Sequence, residues 1–193
     1  LQSWTLEDCG NEGQLVANAF AFMRQHAHHV LVTWGGLAMD CQLLQLAAIT
    51  ADLQLPHQLA EAQGPRWRDL RQVDLGLAMK GSGKTWHHLS EVLLRSNIPV
   101  ALLLGKADPD IRPDRIEWNQ LRQHCETDVL LTAMALVAWL RLQGTAFLRI
   151  PGAHLALLEA FLRARPTAFR TTLLRRLADD LQQTVAGGVT EAA

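Results

Sequence analysis

The chain carries a histidine and a carboxylate at helical spacing, a combination that can perform acid–base chemistry. His124 precedes Asp128 by four residues in a strongly apolar stretch, so in a helix both side chains project from one face. The pKa of an imidazole lies near neutral pH, which allows it to orient or deprotonate a water molecule. Burying Asp128 alone would be unfavourable unless it were paired or bound to metal. A surface-facing acid and an ordinary surface histidine are the alternatives.

A second carboxylate lies where a predicted strand gives way to a predicted helix. Val30–Trp34 is short and β-branched and is followed by Gly35 and Gly36, which predicts a buried strand ending in a tight turn. Apolar residues at helical spacing then predict a helix over Asp40–Leu53. Asp is a favoured N-cap, so helix capping is the alternative to a chemical role for Asp40.

Helix and strand signals alternate along the rest of the chain. Two strands separated by helices indicate an α/β fold with parallel pairing. Asp74, at the end of the second strand, is interpreted as a structural acid. The other predicted elements are a helix at Glu12–Gln25, a strand within Arg66–Leu77, a helix near Trp86–Arg95, a long helix from Glu117 to Gln143, and helical segments with Arg-rich faces that fray from Ala186.

A glycine-rich segment, Gly81–Thr85, resembles the end of a phosphate-binding P-loop. The full pattern requires Gly where the chain has Ala78, with a strand directly before the loop and a helix directly after it. We therefore interpret the segment as a glycine-rich loop whose Lys80 and Lys84 can contact a nucleic-acid backbone. A P-loop nucleotide hydrolase is the rival interpretation.

The composition limits the classes of protein to which the chain can belong. The chain has 193 residues, 49% apolar and 19% charged, which is enough to build a core. Eighteen Lys and Arg balance nineteen Asp and Glu, so nucleic-acid contacts would need a local patch. Three unpaired cysteines and no long apolar run predict a cytoplasmic protein outside the membrane. Two local clusters have alternative interpretations. Metal binding or the C-terminus of a helix fits His26, His28 and His29. A basic strip for phosphate contacts or a solvated helix face fits Arg163, Arg165, Arg170, Arg175 and Arg176.

Two stretches together resemble the second and third motifs of the DEDD-superfamily 3′–5′ exonucleases. His29–Asp40 combines a strand, a turn and an acid that opens a helix, and His124–Thr132 contains His-Cys-Glu-Thr-Asp-Val. The sequence is most similar to bacterial exonucleases related to the proofreading domain of family B DNA polymerases. Their motifs usually contain Trp-Asn-Gly before the acid and Tyr-Cys-Glu-Thr-Asp. Arg71–Leu75 resembles the strand between the motifs, and the resemblance covers roughly Leu15 to Leu142.

The resemblance implies a ribonuclease H-like fold and removal of nucleotides from the 3′ end of single-stranded or 3′-ended DNA or RNA. Two Mg²⁺ or Mn²⁺ ions, about 3.5–4 Å apart, would stabilise the attacking and leaving oxygens. Asp40 and Asp128 would supply the carboxylate oxygens that such hard ions prefer, and His124 would position water. Trp34 would stack on a terminal base. The nucleic-acid-binding residues are predicted to be Trp34, Gly35, Gly36, Lys80 and Lys84.

The sequence departs from the family pattern in three places. The first family motif, Asp-x-Glu, is not found upstream of Asp40, so it is either cut away or lost in evolution. Leu1 rather than Met at the start suggests a fragment, a processed chain or a missing start. Gly35 replaces the usual Asn, and His124 replaces the usual Tyr. We therefore expect an incomplete exonuclease domain over 1–145 that lacks its first strands, a helical extension over 146–193, and little activity in the isolated chain. The alternative is a catalytically silent nucleic-acid-binding or protein-interaction module on the same fold.

Overall fold

The computed structural model describes residues 1–60, 71–80, 83–99, 117–144, 147–166 and 171–190. Helix dominates, and the described strands form one two-stranded parallel sheet, so the chain is of mixed α/β class. In chain order the described elements are α1 (Leu6–Cys9), α2 (Glu12–Gln25), β1 (Leu31–Thr33), α3 (Asp40–Thr50), β2 (Gln72–Asp74), α4 (Leu75–Lys80), α5 (Leu89–Arg95), α6 (Trp118–Leu142), α7 (Ile150–Ala164) and α8 (Thr171–Thr190).

The chain divides into two compact units. We call Gln2–His87 the N-terminal unit and His88–Ala193, together with Leu1, the C-terminal unit. This division differs from the boundary at 145/146 that the sequence suggested. The reason is that α6 packs along α7, and α7 packs along α8, within one unit.

The core of the N-terminal unit lies between α2 and α3. Val16 and Phe20 of α2 are buried against small side chains of α3, including Ala47 and Ala48, and against Leu59. Asn11 caps α2, because its side chain accepts a hydrogen bond from the backbone N–H of Gln14 at 2.8 Å. Removing these apolar surfaces from water is the main favourable term that holds the two helices together.

Parallel pairing of β1 and β2 fixes which side chains meet at the end of the sheet. The register pairs Leu31 with Gln72 and Thr33 with Asp74. The last residue of β1 therefore lies beside Asp74, at the edge where both strands end. The predicted strand within Arg66–Leu77 is only three residues long in the described part, since the chain turns helical at Leu75. Its predicted beginning at 66–70 lies outside the described residues.

The C-terminal unit is helical in its described part. α6 and α7 run antiparallel, since Arg165 contacts Glu126 while His154 contacts Met134. The buried positions follow helical spacing, as expected for amphipathic helices packed on one another. They include Leu130, Leu131, Met134 and Ala135 of α6, His154, Leu158 and Phe161 of α7, and Leu174, Leu177 and Leu181 of α8.

His154 is a fully buried histidine in this helical core. Its Nε2 lies 3.0 Å from the backbone carbonyl oxygen of Met134, while its Nδ1 has no hydrogen-bond partner. Burial lowers the pKa of His154, and the hydrogen bond to the carbonyl opposes that shift. The neutral ring, with its proton on Nε2, therefore suits this environment.

Several predicted helices agree closely with the structure. α2 has the predicted bounds, and α6 lies within the predicted Glu117–Gln143. α5 starts at Leu89 rather than near Trp86, because His88 provides the N-cap through its Nδ1 and the backbone N–H of Ser90. Among the described helices, none combines the length and apolar character that crossing a membrane requires.

Candidate functional site

The turn after β1 is built from two glycines that the backbone geometry requires. Gly35 has φ +72°, a left-handed conformation that side-chain-bearing residues rarely adopt. Gly36 is buried, and a Cβ at that position would lie 2.6 Å from the Cβ of Thr33. The carbonyl of Gly36 accepts the backbone N–H of Cys41 at 2.8 Å, which joins the turn to the start of α3. The tight turn predicted from Gly35-Gly36 is confirmed.

Asp74 holds this turn from the neighbouring strand. Its Oδ1 accepts the backbone N–H of Gly35 at 2.9 Å, and its Oδ2 accepts that of Leu37 at 3.0 Å. Oδ1 also accepts the backbone N–H of Leu77 at 3.2 Å, which ties the start of α4 to the same carboxylate. Asp74 is only 5% exposed, so these donors replace the water it lost. The interpretation of Asp74 as a structural acid is confirmed.

Asp40 is the first residue of α3 and is exposed. The N-cap position belongs to Met39, which makes no side-chain capping hydrogen bond, so the alternative that Asp40 caps this helix is wrong. A carboxylate in the first turn still interacts favourably with the helix dipole. The structure therefore places the Asp40 carboxylate at the surface, directly after the turn that Asp74 organises.

Cys41, the neighbour of Asp40, is a buried thiol. Burial raises the pKa of Cys41, a hydrogen bond from the Gln72 side chain lowers it, and the negative charges of Asp40 and Asp74 raise it further. Because the thiolate is the nucleophilic and metal-binding form, Cys41 acts as a small apolar side chain of the core.

His124 and Asp128 lie together on one face of α6, as their spacing predicted. His124 Nε2 is 3.7 Å from Asp128 Oδ2, and the two side chains are 23% and 40% exposed. This distance is too long for a hydrogen bond but short enough for electrostatic attraction when the imidazole is protonated. Asp128 is therefore a partly exposed carboxylate on the surface of the C-terminal unit.

Two of the three residues between this pair, Glu126 and Thr127, are buried. Glu126 is 4% exposed and forms an ion pair with Arg165, whose Nε lies 2.9 Å from both carboxylate oxygens. Thr127 is also buried, and its hydroxyl donates to the backbone carbonyl of Gln123 at 2.8 Å. The ion pair gives Arg165 a structural contact that ties α6 to the end of α7. Of the other predicted arginines, Arg163, Arg175 and Arg176 are exposed, and Arg170 lies outside the described residues.

The residues predicted to bind metal do not form a complete site. Asp40 belongs to the N-terminal unit and Asp128 to the C-terminal unit, and their convergence stays a prediction. Within the described ranges, no three His, Cys, Asp or Glu side chains are grouped closely enough to hold a metal ion. Asp40 and Asp128 are hard oxygen donors of the kind that Mg²⁺ and Mn²⁺ prefer, but two carboxylates do not fit a two-ion site.

One of the residues predicted to contact nucleic acid lies at the end of α4. Lys80 ends α4, and its Nζ lies 4.8 Å from the centroid of the Trp86 ring. Lys84 is exposed, and Trp34 is half-buried. Trp86 itself is 42% exposed. Its position among lysines and histidines was the sequence signal that could have revealed this surface residue.

The P-loop interpretation of the glycine-rich segment does not agree with the structure. A helix, α4, precedes the segment where a P-loop requires a strand, and α5 starts only at Leu89. Gly81 and Ser82 lie outside the described residues.

The three clustered histidines after α2 contact one another through their rings, with the ring centroids of His28 and His29 4.1 Å apart.

Comparison of the chain with protein-family models, with curated proteins and with solved structures gives no match.

Proposed function

We propose that this chain is part of a metal-dependent 3′–5′ exonuclease with a ribonuclease H-like fold that acts on DNA or RNA. The observation that carries the proposal is the sequence of strand, tight turn and exposed acid at β1 and Asp40. It is followed, on a later helix, by the His124–Asp128 pair. In this proposal Asp40 and Asp128 bind the metal ions, and His124 orients the attacking water.

The local architecture of the N-terminal unit supports the proposal. Parallel β1 and β2 end at the same edge, and Asp40 follows that edge after the turn. Catalytic and ligand-binding residues of α/β folds collect at the carboxyl ends of parallel strands. The buried carboxylate of Asp74 rigidifies this edge through its three backbone hydrogen bonds. A side chain that binds a metal ion needs a backbone held in place in this way.

Metal chemistry in this proposal needs more ligands than the described residues bring together. Hydrolysis of a phosphodiester places negative charge on the attacking and leaving oxygens, which a pair of cations stabilises. Because Asp40 and Asp128 would leave such ions under-coordinated, we expect little cleavage from the 193-residue chain alone. The assay therefore uses the full-length gene product that contains this chain.

The test is cleavage of a single-stranded oligonucleotide labelled at its 5′ end, in Mn²⁺, followed by gel electrophoresis. The full-length protein should shorten the strand stepwise from the 3′ end. Asp128→Ala should slow this by on the order of 100-fold, the typical loss when one stabilising group is removed from a charged transition state. Asp179→Ala, which removes an exposed helical carboxylate from α8, is the matched control and should cleave normally. Unchanged cleavage by Asp128→Ala would refute the assignment.

A catalytically silent binding module is the second candidate. It is favoured by the partly exposed His124–Asp128 pair, which resembles an ordinary surface interaction. The same assay separates the two functions. Binding of the strand by the full-length protein without any shortening in Mn²⁺ or Mg²⁺ would support the silent module and reject the exonuclease.

A further inference from the structure

Trp86 presents an aromatic ring at the surface, next to the turn that precedes Asp40. The residue is 42% exposed, so part of the indole is open to solvent. Its Cζ3 lies 3.1 Å from the point that a Cβ on Gly76 would occupy, and the backbone N of Gly35 lies 3.2 Å from that same point. The indole edge, α4 and the Gly35 turn therefore meet at one place on the N-terminal unit.

Gly76 is the residue that allows this close approach. It lies inside α4, where Gly disfavours helix by about 1 kcal/mol relative to Ala. A Cβ at this position would press on the Trp86 ring, the Gly35 backbone and the Asp74 carboxylate, which is 3.3 Å away from it. The absence of a side chain thus lets the indole and the backbone of the turn both approach Gly76 closely.

The charge around the indole is positive. The Lys80 ammonium lies 4.8 Å from the ring centroid, within range of a cation–π interaction. Within the N-terminal unit, the segment Leu75–His87 contains two lysines and one histidine and no carboxylate. Lys84 and His87 are both exposed. The nearby carboxylate of Asp74 is buried and already accepts three backbone hydrogen bonds.

We propose that Trp86 and Lys80 bind the 3′-terminal nucleotide of a single-stranded nucleic acid. The base stacks on the open part of the indole ring, and the Lys80 ammonium contacts the adjacent phosphate. Stacking on an aromatic ring tolerates every base, which suits an enzyme that removes nucleotides irrespective of sequence. This inference rests on the proposed function, because it assigns the substrate contact beside the acid that would bind metal.

The experiment measures binding in EDTA, so that cleavage cannot interfere. Fluorescence anisotropy compares a labelled oligonucleotide that ends in a normal 3′ nucleotide with one whose 3′ nucleotide is abasic, using the full-length protein. One stacked base is worth about 1–3 kcal/mol, so the abasic strand should bind roughly 5- to 150-fold more weakly. Trp86→Ala should bind the normal strand more weakly by the same factor. Its affinity for the abasic strand should not fall further. Trp86→Phe should retain most of the preference.

Two further variants separate the contributions of ring and charge. Lys80→Met should weaken binding of both strands and lower the slope of log affinity against log salt by about 0.7. Arg95→Met, which removes an exposed cation from α5, is the matched control and should leave both affinities unchanged. The wild-type comparison of the two strands changes only the ligand, so the result does not depend on whether a variant folds.

The possible outcomes distinguish this inference from the proposed function. Cleavage by the wild type, with no effect of Trp86→Ala or of the 3′ abasic site on binding, overturns the inference alone. Discrimination by Trp86 without any cleavage keeps the inference and rejects the exonuclease. Three other results would also overturn the inference. They are loss of affinity with a 5′ abasic site instead of a 3′ one, displacement of the strand by an acidic peptide at equal concentration, and no binding by the wild type.

Discussion

Replacing Asp74 by Asn should destabilise the N-terminal unit far more than the loss of one surface charge would. The carboxylate is 5% exposed and accepts backbone hydrogen bonds from Gly35, Leu37 and Leu77 at 2.9, 3.0 and 3.2 Å. An Asn side chain can keep its oxygen toward Gly35 and Leu77. Its NH₂ group would then face the N–H of Leu37, and two donors repel each other.

The expected magnitude follows from these bonds. A hydrogen bond to a charged group contributes about 1.5–3 kcal/mol, and one between neutral groups about 0.5–1.5 kcal/mol. Asp74→Asn loses the bond to Leu37 and converts the other two from charged to neutral. We therefore expect the free energy of unfolding of this unit to fall by about 3–5 kcal/mol, and amide protection of Gly35 and Leu37 to fall with it.

The assay is hydrogen exchange with mass spectrometry across a urea titration, which reports each unit separately. Asp52→Asn is the matched control, because Asp52 is exposed and its φ of 53° is one that Asn tolerates. The control should change the unfolding free energy by less than about 0.5 kcal/mol. A change below about 1 kcal/mol for Asp74→Asn, or unaltered protection of Gly35, would refute this account of the turn.

Three further predictions follow from the geometry. Gly35→Ala should destabilise the N-terminal unit by about 1–2 kcal/mol because φ is +72°, whereas Gly13→Ala in α2 should be neutral or stabilising in the same urea titration. Burial lowers the pKa of His154 below 6.5, so the folded C-terminal unit binds fewer protons than the unfolded chain. The stability of this unit should therefore fall as pH drops below about 6.5, by up to about 1.4 kcal/mol per pH unit. His154→Leu should remove that dependence, as measured by thermal unfolding at several pH values. Burial raises the pKa of Cys41, so iodoacetamide should alkylate exposed Cys125 before Cys41, and simultaneous labelling, read by mass spectrometry, would contradict the burial.

Local features of the candidate site could be predicted because they depend on neighbouring residues alone. The spacing of His124 and Asp128 places both on one helix face whatever α6 packs against. Likewise, Gly35-Gly36 predicts a turn, because few residues other than Gly adopt the left-handed backbone conformation that Gly35 has. The capping role considered for Asp40 was wrong, since the helix begins one residue earlier than a cap at Asp40 would require.

Contacts between distant residues could not be predicted in the same way. The pairing of Glu126 with Arg165 joins positions 39 residues apart, and nothing in either local segment signals the other. Which face of α3 is buried was also unpredictable from hydrophobicity. The core takes Cys41, Ala47 and Ala48, while the larger side chains Leu43, Leu46 and Ile49 are exposed.

The sequence by itself determined the bounds of α2 and, to within one residue at each end, those of α6, where the chain turns sharply after β1 and which acid–base residues share a helix face. These follow from backbone stereochemistry and periodicity within about one or two turns of chain. Only the tertiary structure decided that Asp74 holds the turn before Asp40 and that Trp86 reaches the surface beside it. Both depend on the parallel register of β1 with β2 and on the close approach at Gly76, and those contacts form only when segments far apart in the chain pack together.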